Sequence, residues 1–369
     1  MRHTISDPTD IEFVPTVHGK TTPAEWRGYI LATPNPLQWD CFRFVLIQRS
    51  DHFTFFVCVD HLHSDMMSIS VAFAEIHTMY AALVDGGRPA RLAEPGSYHD
   101  YCVRERAFLS ALTLESLEMR HWIEFAEYNG GTLPGFPLPL GDELAPADTV
   151  SLQLMNERQT AGFESACVAA GARFSGGVFA CAALAQYELT GAETYYGLIA
   201  HDTRIIPADT TTTGWFTGFV PITIPVNASS FADTARAAQE SFDSGKELAN
   251  VPFNRVVELA PWLSMPQQRV PLLFHLDASI PPLSTVVNSE WVRSNVRIYH
   301  DGKVPARFDV RVNRYEKETH VIVFFPDNPI ARESVTRYIA TLESVFVNIA
   351  EGRGTAASLR DGAFQRQLV

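Results

Sequence analysis

A basic patch is the first thing this 369-residue sequence lacks. Lys and Arg number 29 against 42 Asp and Glu, the formal net charge is −13, and no basic run offsets it. That balance argues against a nucleic-acid surface. Cysteine is sparse, with Cys41, Cys58, Cys102, Cys167 and Cys181 scattered and odd in number. No CxxC spacing suggests a zinc site, and the pattern suits reduced thiols in a cytoplasmic compartment. No apolar stretch stands out as the roughly 20 residues a membrane span needs. The start, Met1-Arg-His-Thr-Ile-Ser-Asp7, is polar and has no apolar signal core. No short-period repeat or low-complexity tract is visible. Hydrophobic content of 46% and charged content of 19% are ordinary for a globular protein.

What is present gathers around one stretch. Phe53-Thr-Phe-Phe-Val-Cys-Val59 reads as a buried strand and stops at a polar knot, Asp60-His61-Leu-His63-Ser-Asp65. After Ser68 the spacing turns helical, with Ile69, Phe73, Ile76 and Tyr80 on one stripe and a stop at Asp85-Gly-Gly. Two histidines and two acids therefore sit where a strand hands over to a helix, a position that often carries catalytic groups.

Elsewhere the pattern predicts a short strand at Asp10–Pro15, a helix cap at Thr21–Glu25 and a strand from Trp39 to Gln48 paired with the one after it. A helix from Arg104 to Tyr128 breaks near Leu112. Residues 131–148, rich in Pro and Gly, read as a crossover between a lobe at 1–130 and a lobe at 149–369. In the second lobe strands are expected at 149–154, 195–200, within 214–226, and at 270–276, 291–299, 306–314 and 320–325. Helices are expected at 160–170, 175–189, 231–248 and 330–350. The alternation points to an α/β protein with mixed sheets.

Three readings compete for the knot. A hydrogen-bonded turn would leave its side chains satisfying backbone groups. Zinc binding through His61, His63 and Asp65 resembles a metallo-β-lactamase run, but Met66 stands where a further His is usual, and later ligands lack their context. In general-base catalysis one imidazole takes a proton from a hydroxyl or amine, while the Asp fixes the loop by pairing with an Arg. Arg204, at a strand end near Pro207, is the candidate partner.

Asp60-His61-Leu-His63-Ser-Asp65-Met66 resembles the His-His-x-x-x-Asp-Gly signature of the condensation-domain and chloramphenicol-acetyltransferase-like superfamily, with Asp60 for the first His and Met66 for the Gly. His201-Asp-Thr-Arg204 and Gly214-Trp-Phe-Thr-Gly-Phe-Val-Pro221 are similar to a second segment of that family. The whole chain also looks like the polyketide-associated acyltransferases of mycobacteria, including those that acylate trehalose. Met1-Arg-His-Thr4 is similar to the end of a helix that lies within the family's first lobe, so the first lobe is expected to be incomplete.

The resemblance implies two chloramphenicol-acetyltransferase-like lobes with a tunnel between them. It implies transfer of a fatty or polyketide acyl group, other than aminoacyl, from a CoA or carrier-protein thioester to a hydroxyl of sugar or glycolipid type. His61 would be the general base, Asp65 would orient its loop through Arg204, and Gly214, Trp215, Phe216 and Gly218 would line the acyl channel. His63 and His201 are secondary candidates for positioning the acceptor. No metal or cofactor is expected beyond the thioester co-substrate. The expected partners are acyl-CoA, or an acyl-carrier protein or polyketide synthase, and a peripheral membrane contact. A silent remnant that binds lipid or protein is the chief alternative, and a zinc hydrolase the third.

Overall fold

The computed structural model describes residues 10, 14–31, 42–141, 145–267, 270–279, 284 and 308–355. The chain divides into two units between Ser64 and Asp65. The expected strand at 291–299 and the segment Met1–Thr4 lie outside the described residues, as do 11–13 of the first expected strand.

In the first unit, Pro23–Leu31 forms helix α1. Its start is a reciprocal cap: Glu25 Oε2 accepts from the Thr22 N–H at 2.7 Å and the Glu25 N–H donates to Thr22 Oγ1. Strands β1 (Phe42–Gln48) and β2 (Phe53–Val59) pair antiparallel, Phe42 opposite Val59 and Gln48 opposite Phe53. A turn closed by the Arg49 N–H to the His52 carbonyl joins them. Aromatic and β-branched residues at nearly every position suit a pleated ribbon.

The second unit opens with helix α2 (Met66–Val84). By length and composition this helix is apolar enough to cross a membrane, contrary to the expectation from the sequence, because Glu75 is its only charged residue besides His77. Core helices meet the same test. Its predicted apolar stripe is only partly covered: Ile76 and Tyr80 are exposed. Helices α3 (Tyr98–Ala111) and α4 (Leu117–Tyr128) follow, so the predicted break falls at 112–116. Helix α3 starts six residues earlier than expected because Ser97 accepts from the Asp100 N–H and caps it.

Around these runs a six-stranded mixed sheet of order β3-β8-β7-β6-β4-β5. The strands are β3 (Ala147–Met155), β4 (Thr194–Asp202), β5 (Thr217–Pro225), β6 (Pro271–Asp277), β7 (Phe308–Arg314) and β8 (Thr319–Pro326). The pairs β4/β6 and β6/β7 are parallel and the others antiparallel. Helices α5 (Glu157–Ala169), α6 (Phe174–Thr190), α7 (Phe231–Gly245) and α9 (Pro329–Ala350) share one core with the sheet. Helix α4 and the short helix α8 (Phe253–Leu259), which the pattern did not reveal, share another.

Strand period explains how one sheet serves both cores. On β4, Tyr195 and Ile199 join the first cluster, while Tyr196 and Leu198 join the second. Helix α6 is the innermost element: residues 176–185 are all buried, and small side chains allow the close approach. A Cβ at Gly177 would collide with Cys167 and Phe163 of α5. The helix stops at Gly191, whose φ of 75° is the left-handed conformation of a C-terminal cap.

Candidate active site

The knot at the end of β2 is a 3-10 turn over His61–His63. Asp60 caps it, accepting from the Leu62 N–H at 2.9 Å through Oδ1 and from the His63 N–H at 3.0 Å through its carbonyl. His61 is on the surface of the turn, with Nδ1 2.7 Å from the Ser64 carbonyl oxygen. A carbonyl oxygen only accepts, so Nδ1 carries the proton in the neutral ring and Nε2 is the basic nitrogen. His63 is half-buried in the same turn.

Asp65 begins the second unit as the N-cap of α2. Its carboxylate accepts at Oδ1 from the Ser68 N–H at 2.7 Å and from Arg204 Nη2 at 3.1 Å. At Oδ2 it accepts from Arg204 Nη1 at 2.8 Å and from the Phe216 N–H at 3.0 Å. The side chains of Arg204 and Asp65 retain 4% and 3% exposure. Burial by itself would raise the Asp65 pKa, but the hydrogen bonds and charge of Arg204 and the bonds from Ser68 outweigh it and hold the carboxyl below its ordinary value. The same pairing raises Arg204 against the opposing effect of burial.

Arg204 lies two residues past β4 and uses its whole fork. Nε donates to the Asp209 carbonyl at 3.0 Å, Nη1 also reaches Asp202 Oδ1 at 3.0 Å, and Nη2 reaches the Thr212 carbonyl at 3.2 Å. Its guanidinium carbon stands 4.1 Å from the Phe216 ring centroid. Ser68 Oγ lies within 3.0 Å of Arg204 Nη2 and 2.9 Å of the Gly214 carbonyl, and accepts from the Gly214 N–H at 3.1 Å. The start of α2 is thereby tied to the segment that leads into β5.

Gly214, Phe216 and Gly218, expected along a channel wall, are held in close packing. Phe216 is fully buried against Tyr98 and Tyr101 of α3. A Cβ at Gly214 would meet the Tyr98 ring, and one at Gly218 the Ala249 carbonyl. Trp215 is half-buried and its Nε1–H donates to the Thr217 carbonyl at 2.8 Å. His201, on β4, stands edge-on to Phe242 with its pKa lowered by burial. The sequence reading missed Ser68, Asp209 and Arg104. Arg104 holds both carboxylate oxygens of buried Asp209, at 3.0 and 2.8 Å, and so backs the residue whose carbonyl receives Arg204. Ser68 had a signal, since Asp65-x-x-Ser68 is a helix-start spacing; the other pair, far apart in sequence, had none.

Among the described residues no group of three or more His, Cys, Asp or Glu is placed to hold a metal ion. Both Asp65 oxygens are instead taken by Arg204 and backbone or hydroxyl donors. The zinc-hydrolase alternative therefore has no ligand set among these residues.

The chain belongs to the condensation-domain family, whose model matches residues 37–277. It is 54% identical over 353 residues to "Acyltransferase PapA3" of Mycobacterium tuberculosis, covering 95% of this chain and 75% of that one. It is also 54% identical over 367 residues to "Trehalose-2-sulfate acyltransferase PapA2" of the same species, covering 98% and 77%. To "2'-acyl-2-O-sulfo-trehalose (hydroxy)phthioceranyltransferase PapA1" it is 52% identical over 358 residues, covering 96% and 69%.

A solved structure titled "PapA2 acyl transferase" superposes with a TM-score of 0.89 at 53% identity, over 94% of this chain and 76% of that one. The first condensation domain of the calcium-dependent antibiotic synthetase shares the fold, with a TM-score of 0.64 at 15% identity over 88% and 72%. The protein is an acyltransferase, and the silent-remnant alternative finds no support in these relatives.

Proposed function

We propose that the protein moves a fatty or polyketide acyl group from a CoA or carrier-protein thioester to a hydroxyl of a trehalose-type sugar, with His61 as the general base. The observation that carries the chemistry is the 2.7 Å contact of His61 Nδ1 with the Ser64 carbonyl, which leaves Nε2 as the proton acceptor. Nε2 takes the proton of the acceptor hydroxyl as its oxygen attacks the thioester carbonyl. The tetrahedral oxyanion collapses, the C–S bond breaks, and the thiolate leaves with the proton returned from the imidazolium. Atoms and charge balance without an acyl-enzyme. Asp65, Ser68 and Arg204 act as positioning residues that brace the start of α2, directly after the turn. The sugar acceptor is supported by the names of the relatives, which specify trehalose derivatives for PapA1 and PapA2.

The test is thiol release from a long-chain acyl-CoA in the presence of trehalose or trehalose 2-sulfate. Acceptor-dependent release should fall by about 10²–10⁴-fold in His61→Ala, the usual contribution of a positioned acid–base group. Equal release by the two proteins would remove His61 from the mechanism. Release that ignores the sugar would remove the acceptor class.

A further inference from the structure

At the opposite end of β4 from the Arg204 loop, an open cavity of about 480 Å³ lies between the turn after α4, the end of α6 and the segment after α8. Its size is within the roughly 300–1,000 Å³ of small-ligand sites. Tyr196, the third residue of β4, lines it, while Asp202 ends the strand against Arg204. Six residue steps along the strand separate the two, about 20 Å at the usual rise. The cavity is thus distinct from the Arg204–Asp65 pair.

Among the described residues its lining has no charged residue and no histidine. Polar groups come from the carboxamides of Asn129, Gln186 and Gln267 and the hydroxyls of Thr132, Tyr196 and Ser264. Asn129 spends its Nδ2 on the Phe125 carbonyl at 2.8 Å, which turns its oxygen to other donors. Thr132 Oγ1 is enclosed and has no hydrogen-bond partner among the described residues, a cost to the fold unless a ligand or water completes it. Leu133, Pro134 and Met265 supply apolar surface. The Tyr196 ring is held by Tyr128 and Phe125, with centroids 6.4 and 6.0 Å away. The Ser264 N–H to the Gly131 carbonyl, at 2.9 Å, ties the two loops together.

We infer that this cavity is a binding site for a neutral saccharide, separate from the Arg204 loop. Carboxamides both donate and accept, as sugar hydroxyls do, and the tyrosine face and apolar side chains suit the C–H face of a pyranose. An anion or cation would find no counter-charge among the described residues of this lining. The inference rests on the cavity alone and stands whether or not His61 is the catalytic base.

Hydrogen exchange of the full chain with and without trehalose or maltose, using glucose 6-phosphate as the charged control, tests it. Amides in 129–135 and 262–267 should exchange at least about twofold more slowly with the neutral sugars and not with the phosphate. Thr132→Val and Gln186→Leu should each weaken binding by about fivefold to thirtyfold, the effect of one lost hydrogen bond. Thr132→Val should also leave the melting temperature of the sugar-free protein unchanged or higher, since it deletes an unsatisfied hydroxyl. A purely structural Thr132 would lower it. Protection absent from both loops, protection confined to 201–216, stronger protection by the phosphate, or unchanged affinity in either variant would overturn the site.

Discussion

Asp65 and Arg204 keep only 3% and 4% of their side-chain exposure, so neither charge is tolerable without the other. Removing one partner of such a buried pair leaves an uncompensated charge and typically costs about 3–5 kcal/mol. Arg204→Leu should lose stability in that range by denaturant unfolding, and acyl transfer with it; a loss below about 1 kcal/mol would show the pair to be dispensable. The pH dependence follows from the depressed Asp65 pKa. An unfolded aspartate titrates near 4. The pair therefore stabilises fully above that value and is lost as pH falls through the lower folded value. Asp65→Asn should flatten this acid limb of the stability curve relative to wild type. Arg104 extends the argument outward, because without it the Asp209 carboxylate, 1% exposed, has no counter-charge among the described residues. Arg104→Met should cost about 1–3 kcal/mol and lower acyl transfer in the same preparation, measured by unfolding and thiol release; full activity would confine Arg104 to the surface.

At the level of elements, Gly218 marks a place where two chain segments touch. A Cβ at Gly218 on β5 would run into the Ala249 carbonyl, a backbone atom that no rotamer change can move aside. Gly218→Ala should destabilise by about 1–3 kcal/mol through overpacking, read as a lowered denaturant midpoint; an unchanged midpoint would mean that the 246–250 turn yields freely. The elements most legible in the sequence were those whose period is strong and whose caps are local. The start of α2 at the Asp65 cap and the run of strand, helix and helix from 147 to 190 fall close to where side-chain spacing placed them. Helix α8 escaped because seven residues span barely two turns. The Arg204–Asp65 pairing was legible because a buried carboxylate demands a cation. The dense packing at Gly214 and Phe216 was not, since it depends on Tyr98 and Tyr101, more than a hundred residues earlier.

Across the second unit as a whole, the sheet is the shared wall of two cores. Trp122, 1% exposed, anchors the cluster with α4 and α8, and its Nε1–H donates to the Leu248 carbonyl at 3.1 Å. Phe346, fully buried, anchors the other cluster from α9 and packs 5.0 Å from the Phe163 ring centroid. Strand β4 contributes neighbouring residues to both, so loss of either core strips one face of the same strand. Trp122→Ala and Phe346→Ala should each cost about 3–5 kcal/mol. Both losses should appear in one transition, followed together by near-ultraviolet circular dichroism and by calorimetry. Two separated transitions, each sensitive to only one substitution, would show that the faces unfold independently. In that case the 20 Å of β4 between the saccharide cavity and the Arg204 loop would not be a rigid connection.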